Sequence, residues 1–109
     1  MVVPVNRFWR DARRRFTFEM YRVPADCYPA ICKDLMEAFG LTVQGRLVDG
    51  WDVVFQEYSC GLQFVELAWD NWSGFFVTSK SSDADSLVRE LGFWLLQSKW
   101  TTVVDKVFL

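Results

Sequence analysis

A chain of 109 residues has room for one domain of ordinary size. With 51% hydrophobic and 24% charged residues it is too apolar to remain disordered, so its composition excludes an unfolded tail. The net charge of −2 hides an asymmetry, because residues 1–19 carry five arginines and two carboxylates, whereas the rest of the chain carries seven basic and twelve acidic residues. We expect a basic N-terminal arm, residues 1–15, followed by one acidic domain, residues 16–109.

The absence of histidine removes the commonest general base and metal ligand. The three cysteines, Cys27, Cys32 and Cys60, form no CxxC motif, which predicts reduced thiols rather than a disulfide framework or a metal site. No phosphate-binding loop or other catalytic motif is present. The sequence therefore predicts a protein that is not an enzyme and that binds no cofactor and no metal.

The N-terminal segment does not have the pattern of a signal peptide. Arg7 and Arg10 interrupt the place where an apolar region would continue, and no small-residue cleavage site follows. No apolar run approaches the roughly 18 residues of a membrane-spanning helix. We expect a cytoplasmic protein with no membrane span.

The predicted arm interleaves aromatic rings with arginines, a pattern typical of surfaces that stack on bases and contact phosphates. An acidic body would repel a polyanion, so nucleic-acid binding is the alternative interpretation rather than the first. A solvated leader and a membrane-surface segment are also open. The nucleic-acid candidates are Arg7, Trp9, Arg10, Arg13, Arg14 and Arg15.

Alternation of apolar and polar residues predicts five strands. The first begins at Phe16 and ends before Pro24. An Asp49-Gly50 pair separates the second strand from the third, and this pair is a strong hairpin signal because a type I′ turn needs positive φ at both central residues. The four later strands are predicted at residues 41–48, 51–58, 62–69 and 75–79.

Two amphipathic helices are predicted from apolar stripes with helical spacing. The first is capped by Asp26, runs to Phe39 and stops at Gly40. The second is introduced by Ser82 in a capping-box pattern and runs to about Ser98.

The predicted element order is β-α-β-β-β-β-α. Both helices must bury their apolar stripes, and the economical arrangement packs them on one face of a mainly antiparallel five-stranded sheet. The predicted fold class is therefore α+β, with the other face of the sheet open. The sequence does not place residues 101–109.

Strict alternation along each strand assigns the side chains of the open face. Val53, Phe55 and Val65 are expected to face the helices, which sends Tyr58 and Phe64 outward. Aromatic rings beside carboxylates on a free face are typical of a binding surface, unless the arm or the tail covers them. The candidate partner-binding residues are Asp52, Tyr58, Phe64, Glu66, Asp70 and Trp72.

Residues 63–77, with the sequence QFVELAWDNWSGFFV, lead through Ser81, Ser82 and Asp83 into the second helix. This acidic and aromatic strand, with its Trp-Ser-Gly turn and returning strand, resembles the small immunity proteins of bacterial contact-dependent growth inhibition and related polymorphic toxin systems. The resemblance covers residues 16–98. The basic arm departs from it.

The resemblance implies a cytoplasmic, non-catalytic protein that binds a cognate toxin domain and covers its active site. Many such toxins are nucleases with basic clefts, and an acidic domain would be steered toward one electrostatically. The six candidate residues would then supply carboxylates and buried rings to the interface. Two alternatives stay open: a nucleic-acid-associated or regulatory protein that uses the arginine arm, and a homodimer whose open sheet faces pair with each other.

Overall fold

The computed structural model describes residues 6–21 and 23–101, and over that part of the chain it shows two α-helices on a seven-stranded antiparallel sheet, an α+β fold. The prediction of the class is confirmed, while the number of strands is larger than the five expected. The helices are α1 (Tyr28–Phe39) and α2 (Asp85–Leu96). The strands are β1 (Asn6–Arg10), β2 (Phe16–Met20), β3 (Thr42–Val43), β4 (Val48–Asp49), β5 (Val53–Cys60), β6 (Gln63–Asp70) and β7 (Gly74–Ser79).

The strands lie side by side in the order β1-β2-β7-β6-β5-β3, and β4 also pairs with β5. The β5–β6–β7 meander at the centre agrees with the predicted hairpins, since β5 pairs with β6 over its whole length and β6 with β7. β2 then returns beside β7, so that the first predicted strand lies next to the last one. This order places the two sheet edges at β1 and at the short strands β3 and β4.

Residues predicted to belong to a basic arm form part of the sheet instead. Strand β1 pairs along its whole length with β2 in a tight hairpin. One carboxylate oxygen of Asp11 accepts hydrogen bonds from the backbone N–H groups of Arg13 and Arg15, each at 2.9 Å, and this closes the turn. Phe8 faces the core, with its ring 4.8 Å from that of Phe18. The rings and arginines of the predicted arm are therefore divided between the two faces of an edge strand.

The predicted strand over residues 41–48 is two short strands, β3 and β4, separated by an exposed loop. The predicted type I′ turn at Asp49-Gly50 is wrong, because Gly50 does not have positive φ. Asp49 instead lies opposite Val54, and the Gly50 N–H donates to the Val53 carbonyl at 2.8 Å. The tip of this hairpin is consequently Trp51 and Asp52, two residues later than expected.

The prediction that Val53 and Phe55 face the helices, and that Tyr58 faces outward, is also wrong. Gly61 and Leu62 make a two-residue connection between β5 and β6. This connection pairs even-numbered residues of β5 with odd-numbered residues of β6, so that Tyr58 lies opposite Val65. Partners in a register share a face, and Tyr58 is therefore buried against α1 with 3% of its surface exposed.

Both helices contact the same face of the sheet. From α1, the Tyr28 hydroxyl donates to the Leu67 carbonyl at 2.7 Å and its ring lies 5.9 Å from that of Phe75. From α2, Gly92 lies so close to Phe8 and Phe18 that an added Cβ would come within 2.6 Å and 2.8 Å of their ring atoms. The fully buried side chains gather between these layers. The largest of them are Phe18, Phe75, Met20, Ile31, Leu35, Leu67, Leu91 and Leu95.

The predicted helix starts differ from the observed ones. A 3₁₀ turn (Ala25–Cys27) precedes α1, and Asp26 lies within it, so Asp26 is not the cap that was expected. α2 follows Ala84 and has no side-chain cap, so the predicted capping role of Ser82 is wrong as well. The C-terminal stop at Gly40 is confirmed, because Gly40 takes the left-handed conformation that glycine adopts readily. Neither helix of the described chain has the length and apolarity needed to cross a membrane.

Candidate functional site

Two hairpin turns meet at one end of the sheet. Val53, the first residue of β5, lies opposite Asp70, the last residue of β6, so the β4–β5 turn and the β6–β7 turn are neighbours. The Asn71 N–H donates to the Asp52 carbonyl at 3.1 Å and joins the two turns directly. We call this region the acidic end and define it by Asp49, Trp51, Asp52, Asp70 and Trp72.

Two tryptophan rings at the acidic end are exposed to solvent. Trp51 is 99% exposed at the tip of the β4–β5 turn, and Trp72 is 69% exposed in the β6–β7 turn. Exposed rings of this size add nothing to the core, whereas Trp is the residue most enriched at the centres of protein interfaces. Folding alone therefore does not account for tryptophan at these two positions.

The turns that carry these rings are held in fixed conformations. One carboxylate oxygen of Asp70 accepts hydrogen bonds from the backbone N–H groups of Trp72, at 2.9 Å, and of Ser73. Gly74 then starts β7 with a φ of 71°, a value that glycine adopts without strain. A ring on a fixed turn loses less conformational entropy on binding than one on a loose loop.

The carboxylates of the acidic end are available to a partner. In the described part of the chain, the five ion pairs involve neither Asp49 nor Asp52 nor Asp70. Further along the same face, Glu57 lies directly opposite Glu66, and the one described cation within ion-pair distance of the two carboxylates is Lys80, with its Nζ 3.9 Å from Glu66 Oε1. Like charges in register destabilise a sheet, so these carboxylates are placed at a cost to folding.

A cavity of about 440 Å³ opens beside Trp51, between α1 and the β4–β5 hairpin. Its volume lies within the range of roughly 300–1,000 Å³ that is usual for ligand sites. Its walls are mainly apolar, with Lys33 and Asp49 as its charged residues. The other residues that define its shape are Tyr28, Cys32, Met36, Leu47, Tyr58 and Trp69.

The surroundings of the Cys32 thiol in this cavity favour its protonated, unreactive form. Burial raises its pKa to about 11, although contacts with the hydroxyls of Tyr28 and Tyr58 act in the opposite direction. Burial also raises the pKa of both tyrosines. At neutral pH the thiol and both phenols are uncharged, and the thiolate that a nucleophilic cysteine requires is absent. In the described residues, no group of three cysteine or carboxylate side chains could hold a metal ion.

The structure brings together three of the six predicted partner-binding residues, namely Asp52, Asp70 and Trp72. Phe64 and Glu66 lie on the face of the sheet opposite the helices, as predicted, although Ala68 and Thr78 of that face are buried. They are six and four residues from Asp70 along β6, or about 20 Å and 13 Å at strand spacing. Tyr58 belongs to the opposite face and is buried. The surface predicted from alternation is therefore split between the middle of the sheet and its acidic end.

Asp49 and Trp51 are the residues of this site that sequence reasoning missed, and Trp51 carries the more exposed of the site's two rings. The sequence pattern assigned Trp51 to a strand, with its ring on a face of the sheet, whereas the observed register of the hairpin places Trp51 in the turn. The signal that could have found it is the pair Gly50-Trp51, because a large ring directly after a turn glycine has no strand neighbour to pack against.

The arginines proposed for nucleic-acid binding lie at the other end of the sheet or on its edge. Arg7 pairs with Glu19, Arg10 with Asp85 and Arg15 with Asp11. The Arg7 guanidinium also lies 4.2 Å from the centre of the half-buried Trp9 ring. Only Arg13 and Arg14 of these five arginines form no ion pair with a described residue, so the charge available to a polyanion is smaller than the sequence indicates.

Comparison with family models, with curated proteins and with solved structures finds no match to this chain. The site is therefore interpreted from its own geometry.

Proposed function

We propose that this protein is a non-catalytic binding protein whose acidic end docks onto a basic protein domain. In keeping with the resemblance of its sequence to bacterial immunity proteins, we propose that the partner is a cognate toxin, a nuclease whose basic cleft is covered in the complex. The observation that carries the proposal is the pair of exposed rings, Trp51 and Trp72, on turns joined by a hydrogen bond and flanked by unpaired carboxylates.

The rings supply affinity in this proposal. Burying an exposed aromatic side chain contributes about 2 kcal/mol or more at the centre of an interface. Large rings of this kind, held on neighbouring turns, are the contacts that dominate measured binding energies. The cavity beside Trp51 can receive an apolar side chain of the partner, which would extend the buried area under the ring.

The carboxylates supply steering and orientation. Asp49, Asp52 and Asp70 would meet lysines and arginines of the partner, and Glu66 would act at longer range from the middle of the open face. Complementary charge at the rim of an interface raises the association rate, whereas buried contacts mainly set the dissociation rate. An inhibitor of a nuclease needs both fast association and slow dissociation, because it must occupy the cleft before nucleic acid does and then remain there.

The test is binding to a purified candidate toxin domain, taken from the gene that directly precedes this one, with nuclease activity as a second readout. We expect Trp51→Ala and Trp72→Ala each to weaken binding at least 30-fold, about 2 kcal/mol, mainly through faster dissociation. We expect Asp52→Lys and Glu66→Lys to slow association about tenfold and to reduce its salt dependence.

Two substitutions away from the acidic end serve as matched controls. Leu62→Ala removes an apolar side chain that is 83% exposed in the β5–β6 turn, and Glu90→Lys reverses an exposed charge on α2. Neither should change binding by more than about twofold, roughly 0.4 kcal/mol. Binding that survives both tryptophan substitutions, or that is lost equally in Leu62→Ala, would show that the acidic end is not the interface. A toxin domain that binds but stays active would refute inhibition while leaving the docking surface intact.

A further inference from the structure

A second cavity lies at the opposite end of the sheet, between the β1–β2 turn and the segment that joins β7 to α2. Its volume is about 380 Å³. Four of its lining residues are basic, and Asp85 is its acidic one. The lining consists of Arg10, Arg14, Arg15, Ser79, Lys80, Ser81, Ser82 and Asp85.

Several hydrogen-bond donors of this cavity have no partner among the described residues. The Arg14 guanidinium and the Ser82 hydroxyl form no hydrogen bond there, and the Lys80 ammonium has only Glu66 near it, at 3.9 Å. Arg15 uses only its Nε, which donates to Asp11, so its terminal nitrogens remain available. The one carboxylate of the cavity already accepts a hydrogen bond from Arg10 at 2.8 Å. Positively charged hydrogen-bond donors with little or no engagement among the described residues therefore line one cavity.

Arg14 occupies a backbone position that disfavours arginine. Its φ is 64°, and it is the one residue other than glycine in the described chain with positive φ. Glycine or asparagine adopts this conformation in a hairpin turn at little cost, whereas a long side chain is strained there. A strained residue at a cavity wall is a common mark of a binding function, since folding alone would select glycine.

We propose that this cavity binds the phosphate group of a small phosphorylated molecule, with Arg14, Arg15 and Lys80 as its charged donors and Ser82 as a hydroxyl donor. Guanidinium and ammonium groups form short, charge-assisted hydrogen bonds with phosphate oxygens. The volume exceeds that of a phosphate group alone, so the ligand class is a phosphate monoester such as a nucleotide. This site is separate from the acidic end and does not depend on the toxin proposal.

The test uses amide and arginine side-chain NMR shifts of the whole chain at fixed ionic strength. The probes are inorganic phosphate, adenosine monophosphate and a single-stranded oligonucleotide, with chloride as the reference anion. We expect saturable shifts at Arg14, Arg15 and residues 80–82 with phosphate, and tighter binding with the nucleotide. Chloride at equal ionic strength should leave these signals in place.

Two variants test whether the binding occurs at this cavity. Arg14→Gly should weaken nucleotide binding about tenfold, the effect of one charge-assisted hydrogen bond, and should also raise Tm because it removes the strained residue. Asp85→Asn should strengthen binding, because it removes the one negative charge and releases Arg10. Arg46→Ala is the control, since it removes an exposed arginine elsewhere on the surface.

Three results would overturn the proposal. They are shifts that chloride reproduces at equal ionic strength, nucleotide binding unchanged in Arg14→Gly, and binding of the oligonucleotide without binding of phosphate or nucleotide. The last result would assign this end to a nucleic-acid surface instead. None of these results bears on the acidic end, whose test uses a protein partner.

Discussion

Hairpin turns form both ends of this sheet, yet the exposed side chains at the two ends have different surroundings. At the acidic end, Trp51 and Trp72 face solvent beside carboxylates that form no ion pair with a described residue. At the opposite end, around the β1–β2 turn, two of the four arginines form ion pairs within the fold, while Arg13 and Arg14 form none with a described residue. Arg15 meets Asp11, Arg10 meets Asp85, and the guanidiniums of Arg10 and Arg89 lie over the Phe16 ring.

The difference shows that a count of charged residues is a poor guide to a binding surface. The arginines form the densest charge cluster in the sequence, but the fold itself uses most of them. The acidic end has fewer charges. Its carboxylates form no ion pair with a described residue, and its two exposed rings contribute nothing to the core. A side chain that folding leaves without a partner is a better marker of function than a side chain that merely stands out in composition.

Of the effects expected at the two ends of the sheet, the largest concerns how the arginine end is anchored. Gly92→Ala places a Cβ within 2.8 Å of ring atoms of Phe8 and Phe18, and the Phe8 ring is itself packed against Phe16 and Phe93. Overpacking should exceed the gain in helix propensity and lower the free energy of unfolding by about 2 kcal/mol. Urea denaturation measures this effect.

Gly45→Ala is the matched control, because the nearest atom to an added Cβ there is 3.8 Å away. Its free energy of unfolding should change by less than about 0.5 kcal/mol. Equal stability of Gly92→Ala and the natural chain would mean that β1 is not held by close contact with α2.

An intermediate effect concerns the carboxylate that closes the β1–β2 turn. Burial tends to raise the pKa of Asp11, but backbone and guanidinium hydrogen bonds from Arg15 and a backbone hydrogen bond from Arg13 lower it below the ordinary value of 3.8. A depressed pKa in the folded state stabilises the fold above pH 3.8, and this contribution is lost as the pH falls through the folded-state pKa.

We therefore expect Asp11→Asn to lose about 1 kcal/mol of stability at pH 7 and to show a weaker loss of stability than the natural chain as the pH falls below about 4. Urea denaturation at a series of pH values from 2 to 7 measures both changes. Glu37→Gln, at an exposed position of α1, is the control. The same acid dependence in Asp11→Asn and in the natural chain would show that this carboxylate does not hold the arginine end together.

The smallest expected effect concerns the acidic end. Trp51→Ala and Trp72→Ala should each change the free energy of unfolding by less than about 0.5 kcal/mol, since an exposed ring contributes little to the core. Trp100→Ala is the contrast, because Trp100 is buried and donates from Nε1 to Asp34 at 3.1 Å; it should cost about 3 kcal/mol. Chemical denaturation distinguishes the two cases. A large loss of stability at Trp51 would assign its ring to folding rather than to binding.

Much of the fold could be predicted from local patterns. The helices α1 and α2 and the β5–β6–β7 meander follow from apolar spacing and from turn residues. Strand β1 was missed, because each of its faces carries one arginine and one aromatic ring, a mixture that resembles a basic arm when the pairing with β2 is unknown. The helix starts were predicted at the wrong residues for a related reason. Asp26 and Ser82 have side chains typical of helix caps, but neither lies at the cap position.

The candidate site was predicted in part. Asp52, Asp70 and Trp72 were found from alternation and charge, which are local patterns. Tyr58 was placed on the wrong face, because the facing of a strand depends on a pairing register that no single strand contains. Trp51 was missed for the same reason, since a displacement of two residues in the turn decides whether its ring lies in a strand or at a tip.

The sequence by itself determined the type of most elements, since helical and strand periodicity are properties of neighbouring residues. It also determined the absence of histidine chemistry and the unequal distribution of charge. Only the tertiary structure decided which face of β5 is buried, which arginines are neutralised by carboxylates up to 75 residues away, and that the turns carrying the two exposed tryptophans are neighbours. These features depend on contacts between distant segments, and those contacts exist only once the strands have paired.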